Sequence, residues 1–206
     1  MKTYKIHFIR NGMTAANVDG RYIGHTDEPL SEQGKKELFE LSKKGGYPDP
    51  QAVFVSPLAR CAETTAILFP EKKPIIINDL IEYNFGEFEG KTAAELHNHP
   101  LFSAWLAGKA DVAPPFGESA ADFSKRIMRG FSGIVTGVLK TGITETAIVT
   151  HGGVIAALLA NYGLPELPLH EWFTSGGCGY TVSIMPSVWT KAEKVEITGP
   201  IPERNR

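Results

Sequence analysis

The chain has 206 residues, 42% of them apolar and 21% charged, with a formal net charge of −2. That size and balance fit one globular domain with a real core and argue against a broadly basic nucleic-acid binder, while leaving room for a local positive pocket. No apolar run approaches the ~18 residues of a membrane span, the start lacks the apolar stretch of a signal peptide, and Cys61 and Cys178 have no metal-ligand spacing, so buried thiols in a reducing cytoplasm are expected.

Tyr4, Ile6 and Phe8 alternate with Lys5 and His7, which marks a first strand ending near Arg10. Residues 10–29 are rich in Gly, Asn and Asp and read as a long functional loop. Ser31 offers an N-cap to a helix whose stripe includes Leu38 and Leu41 and which stops at Gly45-Gly46. Residues 52–55 form a second strand, Pro57 opens the next helix, Pro70 closes it, and residues 75–77 form a third strand. Residues 83–117 are less regular, with helical turns at 92–96 and 102–107, and are expected to form an insertion or lid over one sheet edge, at about 83–118. A long helix follows from Ser119 to Gly142, with Phe123, Ile127, Ile134 and Val138 at helical spacing. Residues 147–149 give a fourth strand and 154–162 a helix. Residues 180–185 and 195–198 read as two further strands joined through Pro186, and 200–206 as a polar, frayed end. Alternating strands and helices predict one α/β domain over residues 1–206. Its expected form is a three-layer α/β/α sandwich on a mostly parallel sheet, with room for antiparallel last strands.

Four polar groups follow four of these strands: Arg10 the first, Arg60 the second, Glu82 the third and His151 the fourth. Ligands of open α/β sheets bind outside the carboxyl ends of the strands, so the four are expected to converge. Two guanidiniums supply forked donors suited to phosphate oxygens. His151 precedes Gly152-Gly153 at a helix opening, where backbone N–H groups and the helix dipole favour an anion. A dianionic phosphate fits this set better than a single carboxylate.

The residues that carry a resemblance are Phe8-Ile9-Arg10-Asn11-Gly12-Met13-Thr14 with Asn17, then Arg21-Tyr22-x-Gly24, Asp27-x-Pro29-Leu30 and Gly34. They continue as Ser56-Pro57-Leu58-x-Arg60-x-x-x-Thr64, Glu82-x-x-Phe85-Gly86-x-x-Glu89-Gly90, Gly117-Glu118-Ser119 and His151-Gly152-Gly153. In this order, over roughly residues 4–160, the set resembles the histidine phosphatase superfamily, the phosphoglycerate-mutase-like proteins. The run from Pro114 to Ser119, with His151-Gly-Gly-Val-Ile, is similar to the branch of α-ribazole and broad-specificity phosphatases, although Ala156 stands where that branch often has arginine.

One departure matters as much as the match. The family signature is Arg-His-Gly, and its histidine attacks phosphorus; here that position is Asn11. An imidazole nitrogen has a free lone pair that can carry a phosphoryl group. A carboxamide nitrogen has its lone pair delocalised into the carbonyl, but the amide can still hydrogen-bond a phosphate oxygen. The chain is therefore expected to bind phosphate esters and to be inactive, or nearly so, by the phosphohistidine route. A substitution made to trap substrate, a natural binder without catalysis and a substitute nucleophile are the three explanations. The intact remainder of the signature favours the first.

For the form with histidine at this position, the resemblance implies a phosphomonoesterase acting on a small phosphorylated metabolite, with phosphoglycerate mutase as the alternative. It implies that Arg10 and Arg60 clamp the phosphoryl oxygens, that His151 donates to them with Gly152, and that Glu82 protonates the leaving oxygen. Asn17 and Thr14 match positions that hydrogen-bond phosphate or orient the loop, and Arg21 and Tyr22 match positions that meet the rest of the substrate. Glu118 and Ser119 are further substrate-binding candidates, Ser119 equally as an N-cap. A mutase is less favoured because the insertion has only Lys91 and Lys109 as basic side chains besides histidines. No metal or cofactor, no nucleic acid and no membrane is implied. A homodimer stays open, with Trp172, Phe173 and the Trp189 region as core or interface.

Overall fold

The structure, a computed structural model, describes residues 2–109 and 112–203. Seven strands form one sheet: β1 (Tyr4–Arg10), β2 (Ala52–Val55), β3 (Ile75–Ile76), β4 (Glu145–Thr150), β5 (Gly163–Leu164), β6 (Gly179–Ile184) and β7 (Val195–Ile201). Their order is β3-β2-β4-β1-β6-β7-β5. The first four in that order are parallel, and β6 is antiparallel to both β1 and β7.

Side-chain alternation along the strands separates two cores. Ile6 and Phe8 of β1, Ile148 of β4 and Val182 of β6 pack on one face against α6 (Ala120–Thr141) and α7 (Gly152–Tyr162). Ile9, Val53, Val55, Ala147 and Val149 pack on the other against α2 (Glu32–Lys44) and α3 (Ala59–Leu68). This is the expected three-layer sandwich. The expected caps are present: Ser31 Oγ accepts from Gly34 N–H and Ser119 Oγ from Asp122 N–H, both at 3.0 Å. Gly142 ends α6 in the left-handed conformation at φ 75°, where a side chain would be strained.

Several expectations need correction. The loop after β1 contains a helical turn, α1 (Ala15–Val18), capped by Thr14. The two last strands are not joined directly through Pro186, which instead opens α8 (Pro186–Ala192). Proline is tolerated there because the first helical N–H has no partner to lose. The end is not frayed from residue 200, since Ile201 is buried and pairs with Gly179, and Glu203 N–H donates to Gly46 O; residues 204–206 lie outside the described ones. Cys61 is buried as expected, whereas Cys178 is only half-buried. Trp172 and Trp189 are core, but Phe173 is 54% exposed.

Residues 83–118 hold α4 (Ala93–Leu96) and α5 (Phe102–Leu106). They build a small core of their own from Phe88, Leu96 and Phe102, against which Tyr22, Phe85 and Trp105 pack. Among the described residues no helix is long and apolar enough to cross a membrane.

Candidate active site

The carboxyl ends of β1, β2 and β4 are adjacent in the sheet, and there the chain places Arg10, Ser56 and His151. Arg60 reaches the same point from the first turn of α3, and its Nε–H donates to His151 Nδ1 at 3.3 Å. Asn11 Oδ1 lies 3.1 Å from that nitrogen, and Ser56 Oγ lies 2.7 Å from His151 Nε2. Nδ1 thus faces a donor and an acceptor and satisfies one at a time. Protonated at Nδ1, the ring donates to Asn11 and accepts the Ser56 hydroxyl; protonated at Nε2, it donates to Ser56 and accepts from Arg60. Burial, reinforced by the Arg60 and Arg10 charges, holds His151 well below the usual imidazole range. The ring is therefore neutral near pH 7.

The backbone around this cluster is fixed by groups that the signature contains. Thr64 Oγ1 accepts Gly12 N–H at 2.9 Å. Glu89 accepts the N–H groups of Gly24, His25, Thr26 and Phe85. The loop so ordered turns the carbonyls of Gly24 and Thr26 onto the Arg60 guanidinium, at 2.7 and 2.9 Å. Arg10 Nη1 donates to Thr174 O, which ties the end of β1 to the segment before β6. Burial lowers the Arg10 pKa, opposed by the nearby Glu82 carboxyl.

Glu82 lies in the segment after β3 and is buried. Its Oε1 accepts Tyr83 N–H at 2.9 Å and its Oε2 accepts Gly153 N–H at 3.0 Å. Those two bonds and the two arginines favour the carboxylate, yet burial outweighs them and raises its pKa. That is the direction a proton donor needs. A side chain at Gly153 would meet Glu82 Oε1 at 2.5 Å, and one at Gly152 would meet Arg10 Nε at 3.3 Å. The glycine pair thus lets the start of α7 lie against both charged groups.

A cavity of about 470 Å³ opens here, lined by Arg10, Asn17, Glu82, Gly152 and Gly153 at its polar end. Arg21, Tyr22, Lys109 and a set of aromatic side chains complete it. A larger groove of about 620 Å³ runs past Lys44, Thr174 and Tyr180 but lacks the arginine, carboxyl and imidazole set. Among the described residues there is no group of His, Cys, Asp and Glu side chains able to hold a metal ion.

The expected residues therefore divide into three groups. Arg10, Asn17, Arg21, Tyr22, Glu82 and Gly152 line the cavity. Asn11, Arg60 and His151 form the buried cluster behind it, joined through the Arg10–Asn11 and His151–Gly152 peptides. Thr14, Glu118 and Ser119 are not among the residues that line it. Thr14 is fully buried and forms a capping box with Asn17, Ser119 caps α6, and Glu118 binds Asn84 N–H and Arg126. The sequence reading missed Arg126, which donates to the carbonyls of Asp79, Ile81 and Glu82 and pairs with Glu118 at 2.6 Å. It holds the Glu82 segment from α6, and no motif marks it. Cys61 was also missed as a neighbour of His151, its Sγ lying 3.6 Å from Nε2.

The chain is 30% identical over 189 residues to a glucosyl-3-phosphoglycerate phosphatase of Mycobacterium tuberculosis, covering 87% of this chain and 83% of that protein. It is 28% identical to an adenosylcobalamin/α-ribazole phosphatase of Escherichia coli, covering 87% and 90%. The crystal structure of the α-ribazole phosphatase from Shigella flexneri superposes with a TM-score of 0.80 at 26% identity, over 94% of each chain. Residues 6–190 match the histidine phosphatase superfamily, branch 1, and the chain belongs to that family.

Proposed function

We propose that this fold is that of a phosphomonoesterase for small phosphorylated metabolites, and that the chain with Asn11 is its substrate-trapping form, able to hold phosphate esters but not to turn them over. The observation that carries the reading is the position of Asn11. It sits in contact with His151, next to Arg10, with Glu82 across the start of α7. In-line displacement puts the nucleophile on one side of phosphorus and the proton donor on the other, and these are the roles we assign to position 11 and to Glu82.

Arg10 and the Gly152 backbone then stabilise the charge that builds on the phosphoryl oxygens, with the buried Arg60 adding its positive field from behind and the neutral His151 ring acting only as a hydrogen-bond donor. Asn11 supplies hydrogen bonds in place of the lone pair that would form a phosphohistidine. Nδ2 donates one hydrogen to Gly12 O at 2.8 Å and keeps the other for a phosphoryl oxygen, while Oδ1 faces His151. The same observation favours a second reading, a natural phosphate-ligand binder. A mutase gains less support, since Lys109 alone of the two insertion lysines lines the cavity.

The test is phosphate release from a broad panel of phosphomonoesters by the Asn11→His variant. Release well above that of the unaltered chain supports the phosphatase. No release from any ester, with phosphate still bound, supports the binder; conversion of 3-phosphoglycerate to its 2-isomer in place of hydrolysis supports the mutase.

A further inference from the structure

Arg10 is gripped by a turn that the catalytic reading leaves out. Residues 174–178 cross the end of β1 just before β6 begins. Arg10 N–H donates to Cys178 O, and Arg10 O accepts Gly177 N–H, both at 2.9 Å. Thr174 O accepts from the Arg10 guanidinium. One turn therefore sets both the backbone and the side chain of this arginine. The same turn rests on the loop that follows β1. A side chain at Gly176 would come within 3.2 Å of Asn11 O, Gly12 Cα and Met13 N, so a glycine lets the two stretches of backbone lie this close.

On its outer side the turn is bordered by open grooves. One of about 620 Å³ touches Thr174, Ser175 and Cys178, and one of about 390 Å³ touches Ser175, Gly176 and Cys178. With little packing to press it onto Arg10 from there, the turn depends on its hydrogen bonds. Cys178 N–H donates to Ser175 O at 3.1 Å within it. From a point 130 residues away in sequence, Tyr47 OH donates to Gly177 O at 2.7 Å. Tyr47 lies between α2 and β2, and its ring packs on the core of that face. Burial, with Cys178 nearby, raises the pKa of its phenol, so the hydroxyl keeps its proton and its role as donor. Gly177 is buried. A Gly177 carbonyl deprived of that hydroxyl has to swing toward water to regain a partner, and the groups that hold Arg10 swing with it.

We propose that Tyr47 is a positioning residue: its hydroxyl holds the 174–178 turn in place, and the turn fixes Arg10 for phosphate. Tyr47 is not among the residues that line the cavity, so it acts through Arg10. This rests on the reading of Arg10 as a phosphate contact.

Calorimetry with inorganic phosphate on the chain as it stands tests this without turnover, beside amide exchange of Arg10. Tyr47→Phe removes the hydroxyl and keeps the ring in its core. It should weaken phosphate binding about fivefold, the cost of ordering one long side chain anew at each binding event. The control is Ile134→Val, a mild truncation in the core on the opposite face of the sheet. It should leave phosphate affinity unchanged, and its Arg10 amide should exchange about tenfold more slowly than that of Tyr47→Phe. If Tyr47→Phe binds phosphate as the unaltered chain does, if both variants weaken binding equally, or if their Arg10 amides exchange alike, Tyr47 does not position Arg10 and the phosphate site stands. If the unaltered chain does not bind phosphate, the phosphate site itself is wrong. Exchange of the Arg10 amide then still decides the grip: faster exchange in Tyr47→Phe supports it, and equal exchange overturns it.

Discussion

Replacing Gly153 with alanine probes the contact between α7 and the proton-donor candidate. The new Cβ would lie 2.5 Å from Glu82 Oε1 and 3.1 Å from Oε2, where ordinary contact begins near 3.4 Å. The carboxyl has little room to retreat, since it is buried and held by Tyr83 N–H and Gly153 N–H. Overpacking together with a weakened charge-assisted bond should cost about 3 kcal/mol. Urea unfolding at constant m-value measures it. Two controls make the result specific. In a Glu82→Ala background the clash is absent, and the same change should fall within about 0.5 kcal/mol of neutral. Gly152→Ala, whose Cβ would have the flexible Arg10 side chain as its nearest neighbour at 3.3 Å, should cost less than about 1 kcal/mol. A Gly153→Ala cost below about 0.5 kcal/mol, or an equal cost with and without Glu82, would refute the placement of that carboxyl.

Stability should fall as pH drops through about 6.5, because burial lowers the pKa of both His7 and His151, so the unfolded chain takes up protons that the folded one refuses. Glu82, raised by burial, acts in the opposite sense: its contribution is present at low pH and is lost as pH rises through its shifted pKa. Unfolding curves of the chain and of His7→Gln between about pH 8 and 5.5 should show a shallower fall in the variant; equal slopes would count against the buried neutral His7. Arg126→Met removes five hydrogen bonds and leaves Glu118 without its ion-pair partner, so a loss of at least about 2 kcal/mol is expected by denaturation. A loss under about 0.5 kcal/mol would show that the Glu82 segment does not depend on it. The Cys61 thiol is pushed up to about 12 by burial, so a Cys178→Ser chain should not react with a disulfide reagent until urea unfolds it; prompt reaction of the folded chain would contradict the packing of α3.

Much of this organisation was legible in the sequence because it is written in local chemistry. The alternation around Ile6, Phe8 and Ile9 assigns β1 to two opposite cores, and Ser31 and Ser119 announce their helices as N-caps. The site residues were legible because each follows a strand, and the carboxyl ends of neighbouring strands meet at one crevice. What escaped depends on distant partners. Arg126 binds carbonyls 44 to 47 residues away, and backbone carbonyls leave no trace in side-chain pattern. Ile201 looks like part of a polar end until Gly179 and the surrounding β6 backbone pair with it. Pro186 reads as a break between strands, although the same residue suits the first position of α8. Thr14 matches a position that binds phosphate or orients the loop, since a hydroxyl serves ligand and cap equally well, and the path of the chain shows it capping α1.

The most direct measurement is a rapid acid-free quench of the Asn11→His variant and of the unaltered chain, each mixed with an excess of one bound phosphomonoester, followed by mapping of any protein-bound phosphoryl group. The expected result is a phosphoryl group on position 11 of the variant, formed and discharged at the rate of phosphate release, and none on the unaltered chain although it binds the same ester. Phosphate release by the unaltered chain at the variant's rate, or a phosphoryl group on any other residue, would contradict the assignment of position 11 as the place where the chemistry is decided.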